Sequence, residues 1–133
     1  MLVKKGLNIN VNPRLQKAYK FLETARICLN HNDYDTCVGR CYYSMFHAAI
    51  VALESVGIYQ EKWSHTGVRN TFGKEIVVDR RMFPANIASY MKEVYDLRIL
   101  GDYGIDVVDQ EQANDALNMC NEFILKIKEV FNE

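Results

Sequence analysis

The sequence predicts an all-α fold, an up-and-down bundle of four main helices plus one short helix. Apolar residues recur at three- and four-residue spacing through most of the chain, and no strand-like alternation of useful length interrupts them. Capping side chains, prolines and glycines stand where these periodic segments begin and end. The chain has 133 residues, of which 49% are hydrophobic and 25% charged. Such a chain can bury one core without disulfides, so we expect a single domain over residues 1–133.

The first helix is predicted to follow a short lead-in segment, residues 1–11. Asn12 can cap this helix, and Pro13 suits its first turn. One apolar stripe then follows the helical period: Leu15, Ala18, Leu22, Ala25 and Leu29. Residues 31–33 end the helix and leave only a short link to the second one. Such a link makes the first two helices an antiparallel hairpin.

The second helix is predicted to begin at a cap formed by Asp33 or Asp35 and to reach about Val56, with Gly57 as its C-terminal stop. At about 100° per residue its side chains divide into two faces. The first face is an apolar stripe: Val38, Cys41, Tyr42, Met45, Ala49, Ala52 and Val56. The second face carries Arg40, Tyr43, His47, Ile50 and Glu54. We expect the stripe to meet the core and the second face to meet a ligand or a partner.

Three further helices complete the predicted bundle. Ser64 can cap a short third helix. Pro84 marks the start of the fourth, which should end near Gly101 and leave residues 102–104 in a turn. A capping-box pattern at residues 109–112 opens the last helix. The stripe of that helix repeats the pattern of the second: Ala113, Ala116, Leu117, Cys120, Ile124, Ile127 and Phe131.

Charge, cysteine spacing and missing motifs exclude several functional classes. The 16 basic and 17 acidic residues give a net charge of −1, so no overall positive field attracts nucleic acid. The four cysteines lack zinc-binding spacing and are interpreted as reduced core thiols, so we expect no metal and no cofactor. Phosphate-loop, dinucleotide-binding, zinc-protease and esterase motifs are absent. The longest apolar stretch, residues 42–53, is too short to cross a bilayer, and we expect a cytoplasmic protein.

The first group of residues that could carry a function is Arg40, Tyr43 and His47 on the second helix. An arginine grips phosphate with a planar fork, and a histidine moves protons near neutral pH. The alternative is structural: Arg40 would pair with Glu54 or Asp102, and His47 would pack at a helix contact.

Two later groups also carry polar side chains at the ends of helices. His65 stands at the start of the third helix, where backbone N–H groups could receive an anion. A helix cap with a solvated His65 is the alternative. The other group is Arg98, Asp102 and Tyr103 at the end of the fourth helix. A salt bridge that fixes the predicted turn is the alternative interpretation there.

In their order along the chain, these groups resemble the HEPN domain family. Residues 40–48 match the R-x-Y-Y-x-x-F-H-A helix of a prokaryotic subgroup, and residues 98–103 match its later R-x-x-x-D-Y pattern. The resemblance covers nearly the whole chain and implies a bundle of four to five helices that usually forms homodimers. It also implies binding of RNA or nucleotide, metal-independent ribonuclease activity of toxin type in many members, and a minimal nucleotidyltransferase as partner.

The catalytic signature of that family, R-x4-6-H, is broken in this chain. Counted from Arg98, the histidine position falls on residues 103–105, which are Tyr, Gly and Ile. His47 or His65 could supply the imidazole if the fold brings either one close to Arg98, so His47 and Arg98 are the catalytic candidates. The predicted ligand-binding residues are Arg40, Tyr43, His47, His65, Arg98, Asp102 and Tyr103.

Three functions follow from this pattern, and the broken signature favours the one without catalysis. The first is a dimeric module with a degenerate catalytic motif that binds nucleotide, RNA or a nucleotidyltransferase. The second is a metal-independent, toxin-type ribonuclease that uses a displaced histidine. The third is a purely structural helical dimer, in which the Arg, Tyr and Asp side chains only lock turns and the interface.

Overall fold

The computed structural model describes residues 12–103 and 108–131, so the lead-in segment 1–11 lies outside the described residues. Within them the fold is all-α and contains no strand, as predicted. The helices are α1 (Pro13–Asn30), α2 (Tyr34–Ser55), α3 (His65–Thr71), α4 (Ala85–Ala88), α5 (Tyr90–Tyr103) and α6 (Gln110–Phe131). A π-helical segment, Phe72–Asp79, follows α3 directly. The four main helices of the predicted bundle are α1, α2, α5 and α6.

Helix α2 lies at the centre of the bundle and contacts α1, α5 and α6. The link between α1 and α2 is short, and residues early in α1 contact the second half of α2. The Ser44 hydroxyl, for example, donates a 2.7 Å hydrogen bond to the backbone oxygen of Ala18. The two helices therefore form the predicted antiparallel hairpin. Helix α6 packs on another side of α2, where the Cys120 thiol lies 3.5 Å from the backbone oxygen of Cys41.

Hydrogen bonds confirm the predicted caps of α1, α3 and α6, whereas Asp33 precedes α2 without a side-chain cap hydrogen bond, and the Asp35 carboxylate accepts from Val108 instead. The Asn12 side chain accepts from two backbone N–H groups of the first turn of α1. Ser64 Oγ accepts a 2.9 Å bond from the backbone N–H of Gly67 at the start of α3. Asp109 and Gln112 exchange side-chain-to-backbone bonds of 2.8 and 3.0 Å, which is the capping box of α6. The starts of these three helices are thus set by local sequence.

The core takes in more of α2 than its predicted stripe. Ile50, which the periodicity placed on the second face, is only 1% exposed, so that prediction is wrong. The reason is that α3 and the π-helical segment also pack against α2, so this helix is covered on more sides than a two-face pattern assumes. Three cysteines, Cys37, Cys41 and Cys120, are buried in this core as free thiols.

The fourth predicted helix has the predicted start, but it is interrupted near that start and ends later than predicted. It begins after Pro84 as predicted, but α4 and α5 are separated at Ser89. At its other end α5 continues through Gly101 to Tyr103, so the predicted turn is wrong for residues 102 and 103, while residue 104 lies outside the described part of the chain. A glycine weakens a helix without ending it, and an i,i+4 ion pair across this last turn favours helix. Among residues 12–103 and 108–131, no helix combines the length and the apolar character that a membrane span requires.

Candidate functional site

A surface cleft of about 230 Å³ opens between the first half of α2 and the last turns of α5. Tyr43 and Arg98 are 55 residues apart in sequence, and a hydrogen bond joins them across this cleft. The residues that line it are Asp35, Thr36, Gly39, Arg40, Tyr43, Arg98 and Asp102. We call it the α2–α5 cleft. Four of the seven predicted ligand-binding residues therefore lie together: Arg40, Tyr43, Arg98 and Asp102.

Arg98 is held by contacts on three sides. Its Nη2 donates to the Tyr43 hydroxyl at 3.3 Å, and its Nε lies 3.3 Å from the Asp102 carboxylate. The guanidinium carbon lies 5.4 and 5.1 Å from the ring centroids of Tyr42 and Tyr43, which is cation–π distance. Its side chain is only 16% exposed. The expected Arg98–Asp102 salt bridge is present, but it lies along a helix and not across a turn.

Arg40 has a different environment. Its guanidinium carbon lies 5.7 Å from the ring centroid of Phe21, and it forms no ion pair with any of the described residues. The expected alternative pairing with Glu54 is geometrically excluded, because fourteen residues along one helix span about 21 Å. Asp102, the other expected partner, pairs with Arg98. Arg40 therefore lines the α2–α5 cleft without an ion pair to any described carboxylate, although Asp35 and Asp102 line the same cleft.

The sequence analysis missed three residues of the cleft lining: Asp35, Thr36 and Gly39. The Asp35 carboxylate accepts a 3.1 Å bond from the backbone N–H of Val108, so this residue ties the segment before α6 to the start of α2. A signal for all three was present, since Asp35, Gly39 and Tyr43 follow one another at four-residue spacing, as do Thr36 and Arg40, and residues at that spacing share one side of a helix. The local pattern marks Asp35 only as a helix cap.

His65 lies on the Arg98 side of α2, although it is not part of the cleft lining. Its Nδ1 is 3.1 Å from the Tyr42 hydroxyl, and its ring packs against the rings of Tyr43 and Phe46. Burial, and then the positive charges of Arg98 and Arg69, lower the pKa of His65. The imidazole is therefore neutral at pH 7. The cap at Ser64 is present as expected, but His65 beside it lies in an aromatic cluster and is not solvated as that interpretation assumed.

His47 lies on the side of α2 that faces α1. Its Nδ1 accepts a 3.0 Å hydrogen bond from Arg14 Nη1, and its ring stacks on Phe21 with an interplanar angle of 4°. Because a guanidinium can only donate, Nδ1 is unprotonated and the ring hydrogen is on Nε2. Burial, followed by the charges of Arg14 and Lys17, lowers the pKa of His47 to about 4. This imidazole is neutral at pH 7, and its tautomer is fixed.

Tyr103 is the last residue of α5 and is 76% exposed. It does not line the α2–α5 cleft, although Asp102 beside it does. The structure thus brings Arg40, Tyr43, Arg98 and Asp102 together and places His65 next to them. It leaves Tyr103 on the surface and His47 on the side of α1.

Comparison with known proteins gives one family and several relatives. A model of the HEPN domain matches residues 11–130. A protein of Methanocaldococcus jannaschii named "Putative toxin MJ0142" is 31% identical over 115 residues, which is 86% of this chain and 76% of that protein. A second protein of that organism, "Putative toxin MJ0605", is 26% identical over 99% of this chain and 96% of its own length. A "UPF0332 protein" of Gloeobacter violaceus is 33% identical over 68% of this chain and 69% of its own.

Proposed function

The chain belongs to the HEPN domain family, and from this premise we propose that it binds the phosphate groups of RNA or of a nucleotide in the α2–α5 cleft. The observation that carries the proposal is the position of Arg40 and Arg98 on the walls of one cleft, with the Tyr43 hydroxyl between the two helices. Two guanidinium groups and a hydroxyl are the donors that phosphate oxygens prefer.

The contacts of Arg98 support binding by preorganisation. Its guanidinium is already fixed by Tyr42 and Tyr43, so little side-chain entropy is lost when a ligand arrives. Asp102 competes with a phosphate for Arg98, but its side chain is 39% exposed and can turn towards water. Arg40 forms no ion pair with a described carboxylate, and the nearby Asp35 carboxylate is held by the backbone N–H of Val108. We therefore expect moderate affinity that depends on both arginines.

Fluorescence anisotropy of labelled single-stranded RNA, measured in EDTA, tests the proposal. Replacing Arg98 or Arg40 by alanine should weaken binding about tenfold or more, because each removes a charge-assisted hydrogen-bond donor. Arg98→Lys should recover only part of the affinity, since a lysine has no planar fork. Arg26→Ala is the matched control: Arg26 lies on α1, is 43% exposed and pairs with Glu23. Equal affinities for the control and the Arg98 and Arg40 variants would refute the proposal.

A second function, metal-independent RNA cleavage, is favoured by one observation: His65 and Arg98 both contact the rings of Tyr42 and Tyr43. In such chemistry an arginine stabilises the charge on phosphorus, and a histidine takes the proton of the attacking 2′-hydroxyl. The hydrogen bond between His65 and Tyr42 uses Nδ1. Among the described residues no hydrogen bond involves His65 Nε2. His47 is less suited, since Arg14 holds its Nδ1 and its pKa is about 4.

Cleavage of a labelled RNA in EDTA by purified protein tests this second function. We expect His65→Ala to abolish cleavage and His47→Ala to retain it. Loss of activity in the His47 variant alone, with its fold intact by circular dichroism, would return the catalytic role to His47. No cleavage by the unchanged protein would leave binding as the function.

The homodimer and the minimal nucleotidyltransferase partner stay predictions. Light scattering during size-exclusion chromatography measures the mass in solution, and a gene for a nucleotidyltransferase next to this one would favour a paired system. If the helical dimer were purely structural, Arg40→Ala would lower dimerisation or stability, and the unchanged protein would not bind RNA. The anisotropy experiment therefore separates this third function from the first.

A further inference from the structure

A second cleft, of about 330 Å³, adjoins the first and lies between α1 and α2. We call it the α1–α2 cleft. Its lining residues are Lys17, Lys20, Phe21, Thr24 and Arg40. Arg40 is thus common to both clefts, and its guanidinium stands between the two openings. Neither Lys17 nor Lys20 belongs to any group that the sequence pattern singles out.

The two clefts differ in charge. Two carboxylates, Asp35 and Asp102, line the α2–α5 cleft, whereas none of the described acidic residues lines the α1–α2 cleft. Lys17 and Lys20 are exposed, and neither forms an ion pair with another described residue. The second cleft therefore has a local positive charge that the net charge of −1 conceals.

The α1–α2 cleft also has an aromatic side chain in its lining. Phe21 lines it and is only partly buried. One neighbour of its ring is His47, stacked at a centroid distance of 5.6 Å, and another is Arg40 at 5.7 Å. An aromatic side chain among lysines and an arginine is the combination on which single-stranded nucleic acids bind, with bases against the ring and phosphates against the cations.

We propose that the two clefts are consecutive subsites for one single-stranded oligonucleotide. This inference rests on the proposed function. One phosphate binds Arg98 and Arg40 in the α2–α5 cleft, and the next nucleotide lies in the α1–α2 cleft. There its base packs on Phe21, and its phosphate is bound by Lys17 and Lys20. Arg40 serves both subsites, so the preferred ligand is an oligonucleotide and not a mononucleotide.

The experiment compares two ligands and two variants. The ligands are a fluorescein-labelled eight-nucleotide oligouridylate, followed by anisotropy, and uridine 5′-monophosphate, followed by calorimetry. The first variant is Lys17→Ala/Lys20→Ala. The matched control is Lys62→Ala/Lys128→Ala, which removes the same charge from two exposed lysines outside both clefts. All four lysines are exposed, so both variants should keep the fold.

We expect the first variant to weaken oligonucleotide binding about tenfold. The slope of its salt dependence should fall by about 0.7, since the variant no longer neutralises the one phosphate that Lys17 and Lys20 bind together. Its affinity for the mononucleotide should not change, and the control should bind both ligands as the unchanged protein does. Equal oligonucleotide affinities for the two variants, or equal weakening of both ligands, would overturn the second subsite.

The Arg98→Ala variant separates the failure of this inference from failure of the proposed function. If Arg98→Ala weakens oligonucleotide binding and the lysine variant does not, the proposed function stands and the second subsite is wrong. If only the lysine variant weakens binding, both the proposed function and the consecutive arrangement are wrong. Both are also wrong if the unchanged protein binds neither ligand.

Discussion

The two sides of α2 carry similar residues with different contacts. On the α5 side, Arg98 is fixed against two tyrosine rings, and His65 is bonded to one of them. On the α1 side, Arg14 donates to His47, which stacks on Phe21. Each side has an arginine and a histidine, but only the α5 side combines them with a cleft that carboxylates and a hydroxyl also line. Arg40 and His47 both contact Phe21, but only Arg40 lines a cleft, so their spacing on one helix does not decide which of them a ligand can reach.

The largest expected effect on stability comes from adding a side chain where α5 packs against Asp35 and Val108. A Cβ on Gly101 would lie 3.0 Å from the Asp35 carboxylate oxygen and 3.2 Å from a methyl group of Val108. Asp35 cannot yield freely, because it accepts the backbone hydrogen bond of Val108. We expect Gly101→Ala to lower the free energy of unfolding by about 1–3 kcal/mol, the usual cost of overpacking. Urea denaturation measures it, and a stabilised variant would show that α5 is not held against Asp35.

The pH dependence of stability tests the environment of His47 on the α1 side of α2. Folding lowers the pKa of His47 from 6.5 to about 4, so the folded state favours the neutral ring. The stability from this effect is fully present above pH 6.5 and is lost as the pH falls towards 4. The melting temperature of the unchanged protein should therefore fall more between pH 7 and pH 4.5 than that of His47→Gln. Parallel curves for the two proteins would contradict the fixed, neutral His47.

A substitution with a smaller expected effect tests whether the ligand binds in the α2–α5 cleft. Gly39 lies inside α2 and lines the α2–α5 cleft, and an added Cβ there meets no described atom within 4 Å. Gly39→Ala should raise stability by about 1 kcal/mol, because alanine favours helix over glycine. It should also weaken RNA binding, since the methyl group occupies the cleft. Higher stability with unchanged affinity would place the ligand elsewhere.

Local signals predicted the fold well and the site only in part. Asn12, Ser64 and the pair Asp109–Gln112 act through neighbours in sequence, so their caps were predictable. Which residues of the second face of α2 lie next to α1, and which lie next to α5, was not predictable, because this depends on where those two helices pack. The same reason explains why the lysines of α1 were overlooked: nothing in the local sequence marks them as neighbours of Arg40.

The most direct test of the central claim is a double-mutant cycle of Arg40 and Arg98, read as affinity for single-stranded RNA. If both arginines bind one phosphate-bearing ligand in the α2–α5 cleft, the effect of Arg40→Ala/Arg98→Ala should differ from the sum of the two single effects by at least about 0.5 kcal/mol. Strictly additive effects, or unchanged affinity in both single variants, would contradict a shared site.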